Sequence, residues 1–260
     1  MTGRRIMMAL APPVVAIVFS VALSSVVLLI AGTSPWEAWR EMLAYGSSLG
    51  ALVETGNRAT QLYLAGIAVA IGFRMNLFNI GVEGQYMLAA LVAAAVGAAV
   101  NLPPILHVAL IMAVAMSVGS LYAGVAGYLK VTRGVHEVIS TIMLNAIALS
   151  TIGYLLRTWL DDGDDTTLNI TTPEIAPSGR FPNLNGMVEM FTREIGRGRE
   201  LWGFLLIAIV VGVIFHLFLT RTRSGFDLRA TGLNPFAAEA SGVDPRATVV
   251  RAMLLSGAVA

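Results

Sequence analysis

The residues best equipped for chemistry crowd into GFRMNLFNIGVEGQYM at 72–87, where Arg74, Asn76, Asn79, Glu83 and Gln85 alternate with Gly72, Gly81 and Gly84. Apolar runs press in from both sides with no loop between them. Amides and a carboxylate beside the Phe78 ring suit hydrogen bonding and stacking with a polar solute. A charge at bilayer depth costs on the order of 3 kcal/mol on insertion scales, which makes Glu83 a functional candidate by default. Asn79, Gly81 and Gly84 also weaken helix continuity, since each Gly costs about 1 kcal/mol relative to Ala. Two readings follow. One is a discontinuous helix beside a translocation path, where freed backbone groups meet solute. The other is a tight cytoplasmic turn between two full spans, with Arg74 and Glu83 near the interface.

A second candidate is Asn145, mid-span in ISTIMLNAIALS. Its amide can bind a solute hydroxyl or base edge, or join two helices at about 1 kcal/mol or less. Ser140 and Thr141 are expected to bond their own backbone, as hydroxyls in membrane helices commonly do. His107 and His216 fall near span ends and read as satisfied or interfacial histidines. His136 and Glu137 begin a zinc-type HExxH pattern, but Ser140 stands where the second histidine is required. No GxxxxGK[ST] loop occurs, and the only lysine, Lys130, has no glycine-rich lead-in, so ATP hydrolysis is not expected of this chain. With no cysteine there is no disulfide framework and no thiolate chemistry. No serine has a convincing histidine partner for an intramembrane hydrolase. The acidic stretch DDGDDTTLNIT (161–171) lacks the full calcium-loop pattern and reads as a solvated outer loop.

The elements that position these residues follow from composition. Of 260 residues, 56% are hydrophobic and 13% charged, against about 25% charged in soluble domains. The chain is therefore expected to be an all-α, polytopic membrane protein. Spans of about 20 residues fall near 10–31, 60–80, 82–100, 104–129, 138–159 and 202–220, with a seventh beginning near 248 and running off the end. The first run exceeds a usual signal-peptide core and is read as a retained helix. With Arg4 and Arg5 cytoplasmic, the inner segments hold Lys130, Arg133, Arg221, Arg223, Arg229 and Arg246, as positive-inside topology requires, although Arg40 and Arg58 count against it. The outer segment 33–58 carries Trp36, Trp39, Met42, Leu43 and Tyr45 at helical spacing, which predicts an interfacial helix. Residues 160–201 form an outer loop.

The inner segment 221–247 contains LNPFAAEASGV. Asn234 can cap a helix, Pro235 suits its first position, and Gly242 can end it in a left-handed conformation. A helix of two turns is marginal alone, so it must dock on its own bundle or on another subunit. Phe236, Ala237, Ala238 and Ala240 offer an apolar surface for that contact.

FRMNLFNIGVEGQ closely resembles the signature of the membrane subunits of ABC importers for nucleosides and simple sugars, a superfamily that includes ribose and branched-chain amino-acid permeases. The likeness continues through RGVHEVISTIMLN (133–145) and RATGLNPFAAEASGV (229–243). The resemblance implies alternating access without chemistry of its own, with a solute path near Asn76, Phe78, Asn79, Glu83, Gln85 and Asn145. It makes Gly232, Asn234, Pro235, Phe236, Ala237, Ala238 and Gly242 a coupling helix for the ATPase. No cofactor is expected in this chain; ATP and magnesium belong to partner ATPase subunits. The other implied partners are a second permease subunit, identical or related, and an extracytoplasmic solute-binding protein that docks on the outer loop. The setting is the bacterial cytoplasmic membrane, and nothing suggests nucleic acid as a partner. The family's carboxy-terminal spans are missing, so the chain reads as a single, incomplete permease domain over 1–260. The rival expectation is a proton- or sodium-coupled secondary transporter with Glu83 as the titrating group.

Overall fold

Amphipathic and apolar periodicities resolve into helices throughout. The computed structural model describes residues 3–161, 170–190 and 199–260, and among these the chain is helical, with no strand. Residues 162–169, including Asn169 and most of the acidic stretch, and the loop arginines Arg193 and Arg197 lie outside the described residues. Two compact units are present, divided between Thr55 and Gly56.

In the first unit, α1 (Gly3–Ile30) contains an apolar length, Leu10–Ile30, sufficient to cross a bilayer. α2 (Pro35–Gly46) starts with Pro35 at a favoured position after Ser34, whose hydroxyl accepts from the Glu37 amide at 3.4 Å. None of its side chains is buried, and the Trp39 indole donates to Ser25 Oγ of α1 at 3.0 Å. The interfacial helix expected within 33–58 is thus confined to 35–46. Its last ten residues are instead the opening of α3 (Leu49–Phe73).

The second unit holds the rest of α3, α4 (Val82–Ala99), α5 (Pro104–Arg133), α6 (Glu137–Thr158), α7 (Asn185–Glu189), α8 (Phe204–Arg221), α9 (Arg223–Leu233), α10 (Pro235–Ala240) and α11 (Pro245–Val259). α4, α5, α6 and α8 are long and apolar enough to span a membrane. The span expected at 60–80 is corrected: helix α3 runs from 49 to 73, and 74–81 is not helical.

Close packing of α5 on α11 follows from small residues at every fourth position. Gly119, Ala123 and Gly127 line one face of α5, and Ala123 is fully buried. A β-carbon at Gly119 would collide with the Gly257 carbonyl, and one at Gly127 would stand 3.0 Å from Met253 Cβ. Such seams let helix backbones approach where lipid supplies no hydrophobic drive. At one end of this pair, Gly134 terminates α5 at φ 67°, and Lys130 bonds Glu137 at 2.5 Å across the turn. Glu137 is buried, so the ammonium supplies the partner that a desolvated carboxylate requires.

At the other end, His107 is fully buried, with Nδ1 2.9 Å from Ser178 Oγ and Nε2 2.9 Å from the Gly97 carbonyl. It is a satisfied histidine that clasps the short 3-10 turn Pro177–Gly179 to α4 and α5.

Candidate functional site

α3 ends in a left-handed cap. The Leu77 amide donates to Gly72 O at 3.0 Å and the Asn76 amide to Phe73 O at 3.2 Å, with Asn76 at φ 53°. Asn tolerates this region better than other side chains that carry a β-carbon. Through and beyond this turn the side chains alternate: Met75, Leu77 and Asn79 are buried, whereas Asn76, Phe78 and Ile80 are exposed. Met75 and Leu77 enter a core with Ile67, Ile71, Leu228 and Met253, which ties the break to α3, α9 and α11.

Asn79 and Gln85 form a head-to-tail amide pair. Asn79 Nδ2 donates to Gln85 Oε1 at 3.0 Å and to Ser256 Oγ at 2.8 Å; its Oδ1 accepts from Gln85 Nε2 at 2.9 Å and from the Gly81 amide at 3.1 Å. The Ser256 hydroxyl donates in turn to Ala68 O at 2.6 Å. An asparagine side chain has two N–H donors and two acceptor lone pairs, so Asn79 is saturated.

Asn145 performs the next task. α4 begins at Gly81, which has no side chain to cap the helix, and the first amides of a helix need partners from elsewhere. Asn145 Oδ1 accepts from the Gly84 amide at 3.0 Å, and its Nδ2 donates to Ile80 O at 2.9 Å. A β-carbon at Gly84 would lie 2.6 Å from that Oδ1, which explains the glycine. Asn145 stands eight residues into α6, about 12 Å along it, and Ser256 eleven residues into α11, about 16 Å. The break therefore reaches inside the bundle, where irregular backbone persists only when buried in protein or facing a cavity. The non-helical backbone between α3 and α4 is thus held by side chains of α6 and α11.

The six residues expected along a path divide. Asn79 and Gln85 are each 1% exposed and bonded to one another, so in this conformation they are a structural joint and line no open route. Asn145 is half-buried and occupied with the start of α4. Asn76 turns its amide to Gly232 O at 2.8 Å. Phe78 and Glu83 remain exposed, together with Tyr86, which shares the Glu83 face of α4 at a spacing of three residues. Phe73 packs edge-on against Phe78 at 5.3 Å. One turn beyond Glu83, Tyr86 and Gln61 border a largely apolar cavity of about 340 Å³ between α3, α4, α5 and α11. Ser256 escaped sequence reasoning entirely, and the glycines at 84 and 232 were the only sign of the close contacts they make.

The segment after α8 behaves as its cap residues require. Asn234 Oδ1 accepts from the amides of Phe236 at 3.0 Å and Ala237 at 3.1 Å. Gly242 adopts φ 83°, with its amide on Glu239 O at 2.9 Å and the Val243 amide on Ala238 O at 3.0 Å, a left-handed stop with two satisfied carbonyls. One residue departs from expectation. Ala238 is 3% exposed and faces its own chain, so it is not part of the outward surface with Phe236, Ala237 and Ala240. That surface is completed instead by Leu233, 89% exposed beside Phe236 at 82%.

Membrane-length helices, a non-helical break held within the bundle and a short capped helix with outward apolar side chains are the features of a multi-pass membrane protein. The chain belongs to the branched-chain amino acid transport system / permease component family, matched over residues 51–260. It is a permease subunit of the ABC transporter type. It is 33% identical to the guanosine ABC transporter permease protein NupP of Bacillus subtilis, over 95% of this chain and 68% of that protein. It is 29% identical to the nucleoside ABC transporter permease protein NupB of Lactococcus lactis, over 95% of this chain and 67% of that one. A glucose ABC transporter permease protein of Haloferax volcanii is 31% identical over 95% of this chain and 65% of its own length. The chain thus spans about two thirds of each of these relatives. No solved structure matches it.

Proposed function

We propose that this chain forms part of the membrane passage of an importer for nucleosides, with Phe78, Glu83 and Tyr86 as the side chains that meet the solute. The observation that carries this reading is the division at the break: its inward amides are spent on one another, while an aromatic pair and a carboxylate stay exposed beside it. A ring face and a hydrogen-bond acceptor suit a nucleobase and the hydroxyls of its sugar. Kinship to guanosine and nucleoside permeases supports the same solute class.

In this reading α10, with Leu233 and Phe236, docks on an ATPase subunit that binds ATP and magnesium. A second permease subunit completes the passage, and a solute-binding protein delivers from the outer side. The membrane is the bacterial cytoplasmic one, with the amino terminus inside; the positive residues Lys130, Arg133, Arg221, Arg223, Arg229 and Arg246 fit that orientation. Differential contacts of the ATPase with the two access states would supply the drive.

Uptake into vesicles containing the assembled complex tests the proposal. Guanosine should accumulate in an ATP-dependent manner, and Glu83→Ala should lower uptake while leaving membrane insertion intact. Preference for glucose would overturn the solute class, and unchanged uptake by the variant would remove Glu83 from the passage.

A further inference from the structure

The Asn76 amide bonds Gly232 O at 2.8 Å across 156 residues of sequence. Because the carbonyl can only accept, the side-chain NH2 must be the group that faces it. Gly232 itself lies directly on the end of α3: a β-carbon there would collide with Arg74 O and stand 2.8 Å from Met75 Cα. Two residues on, Asn234 opens α10, and Leu233 between them is the most exposed apolar side chain of the segment. Two residues on from Asn76 in the other strand of the contact, Phe78 is exposed at the break. The carbonyl that receives the Asn76 bond is therefore two residues from the outward helix, and the amide that gives it is two residues from the solute-facing ring.

The contact also has an unmet demand. Among the described residues, Thr231 Oγ1 is the buried side-chain oxygen without a hydrogen-bond partner. It is adjacent to Gly232 on α9. A native structure seldom leaves such a group unpaired without a reason.

From these observations we infer that Asn76 and Gly232 are the mechanical link between the α10 docking surface and the break, with Asn76 a positioning residue for transport. This rests on the reading that α10 docks on the ATPase and that the break borders the passage. Motion of α10 is carried through a backbone contact with no compressible side chain in it, and the Asn76 bond prevents the two backbones from sliding apart. The short path matters because coupling requires an element whose two arrangements both sites bias.

The test uses the complete complex in vesicles, with ATP hydrolysis and uptake measured together. Asn76→Gly keeps the left-handed turn and removes only the bond; Asn76→Asp keeps the shape and faces an acceptor with an acceptor. Both variants should retain ATPase association and ATP hydrolysis while solute moved per ATP falls by at least about fivefold, the lower end of allosteric coupling. Wild-type solute per ATP in Asn76→Gly would overturn the inference, as would loss of ATPase association, which would make the bond a docking feature alone. Should these variants fail to insert, a second measurement decides: spin labels at Phe78→Cys and Leu233→Cys should keep their separation through the ATP cycle, and a change above about 5 Å, one helical turn, would overturn the link. The charged pair Leu233→Asp and Phe236→Asp examines the underlying reading separately. If it leaves ATPase association intact, the docking assignment fails, whatever Asn76 does.

Discussion

Replacing Asn79 with leucine, which is close to it in size, measures the joint directly. Four hydrogen bonds disappear: two with Gln85, one with Ser256 and one with the Gly81 amide. In a membrane protein a side-chain hydrogen bond averages about 0.6 kcal/mol by double-mutant cycle, so the substitution should cost about 2.4 kcal/mol. The two Asn79–Gln85 bonds should account for about 1.2 kcal/mol of this as coupling energy. Asn79→Leu, Gln85→Leu and the double variant, unfolded reversibly in detergent micelles, supply the cycle. The double variant should be less destabilised than the sum of the single ones, because removing both partners leaves fewer orphaned groups than removing one. A coupling energy below about 0.3 kcal/mol, within the usual scatter for independent sites, would refute the amide pair. Both side chains would then be facing water or solute in the prevailing state.

Three further outcomes follow from the same contacts. Gly84→Ala should destabilise the protein by about 1–3 kcal/mol, as overpacking does, because its β-carbon would lie 2.6 Å from Asn145 Oδ1; thermal unfolding should show the loss reduced in a background of Asn145→Ala. Thr231→Val deletes a buried hydroxyl that has no partner, so it should raise stability by about 1 kcal/mol or more, read as a higher Tm; a lower Tm would mean that the hydroxyl is bonded. Ala238→Asp should unfold the segment 234–243 by placing a charge at a buried position, whereas Ala237→Asp, at an exposed one, should leave it folded; limited proteolysis distinguishes them.

How much of this was legible in the sequence depended on the kind of signal involved. The helices α4, α5, α6 and α8 follow apolar runs with ends within a few residues of expectation, as does the apolar length Leu10–Ile30 of α1, because span length is dictated by the bilayer itself. Caps are local, and so Asn234 and Gly242 were readable in the same way. α3 was not, since Glu54, Asn57, Arg58 and Gln61 interrupt the apolar pattern of its first half and concealed a helix that begins at Leu49. α9 was hidden within a segment read for its charge and for its likeness to the family's cytoplasmic stretch. At the break, residue type announced that Asn79 and Gln85 needed partners, but not whether a partner would be a solute or another amide. That answer lies with Ser256, 177 residues away, where a serine in an apolar stretch looks unremarkable. The orientation of Ala238 was lost for a related reason: a small side chain suits a helix face turned either way.

The remote cap that Asn145 provides for α4 bears on biogenesis. A ribosome delivers α4 before α6, so the opening turn of α4 enters the lipid with the Gly84 amide still lacking its acceptor, and Asn79 waits longer still for a hydroxyl borne on α11. Assembly of this region consequently waits for α11 to be made. Chaperoning by the insertion machinery, or by water retained in the nascent bundle, has to shelter these groups until their partners arrive.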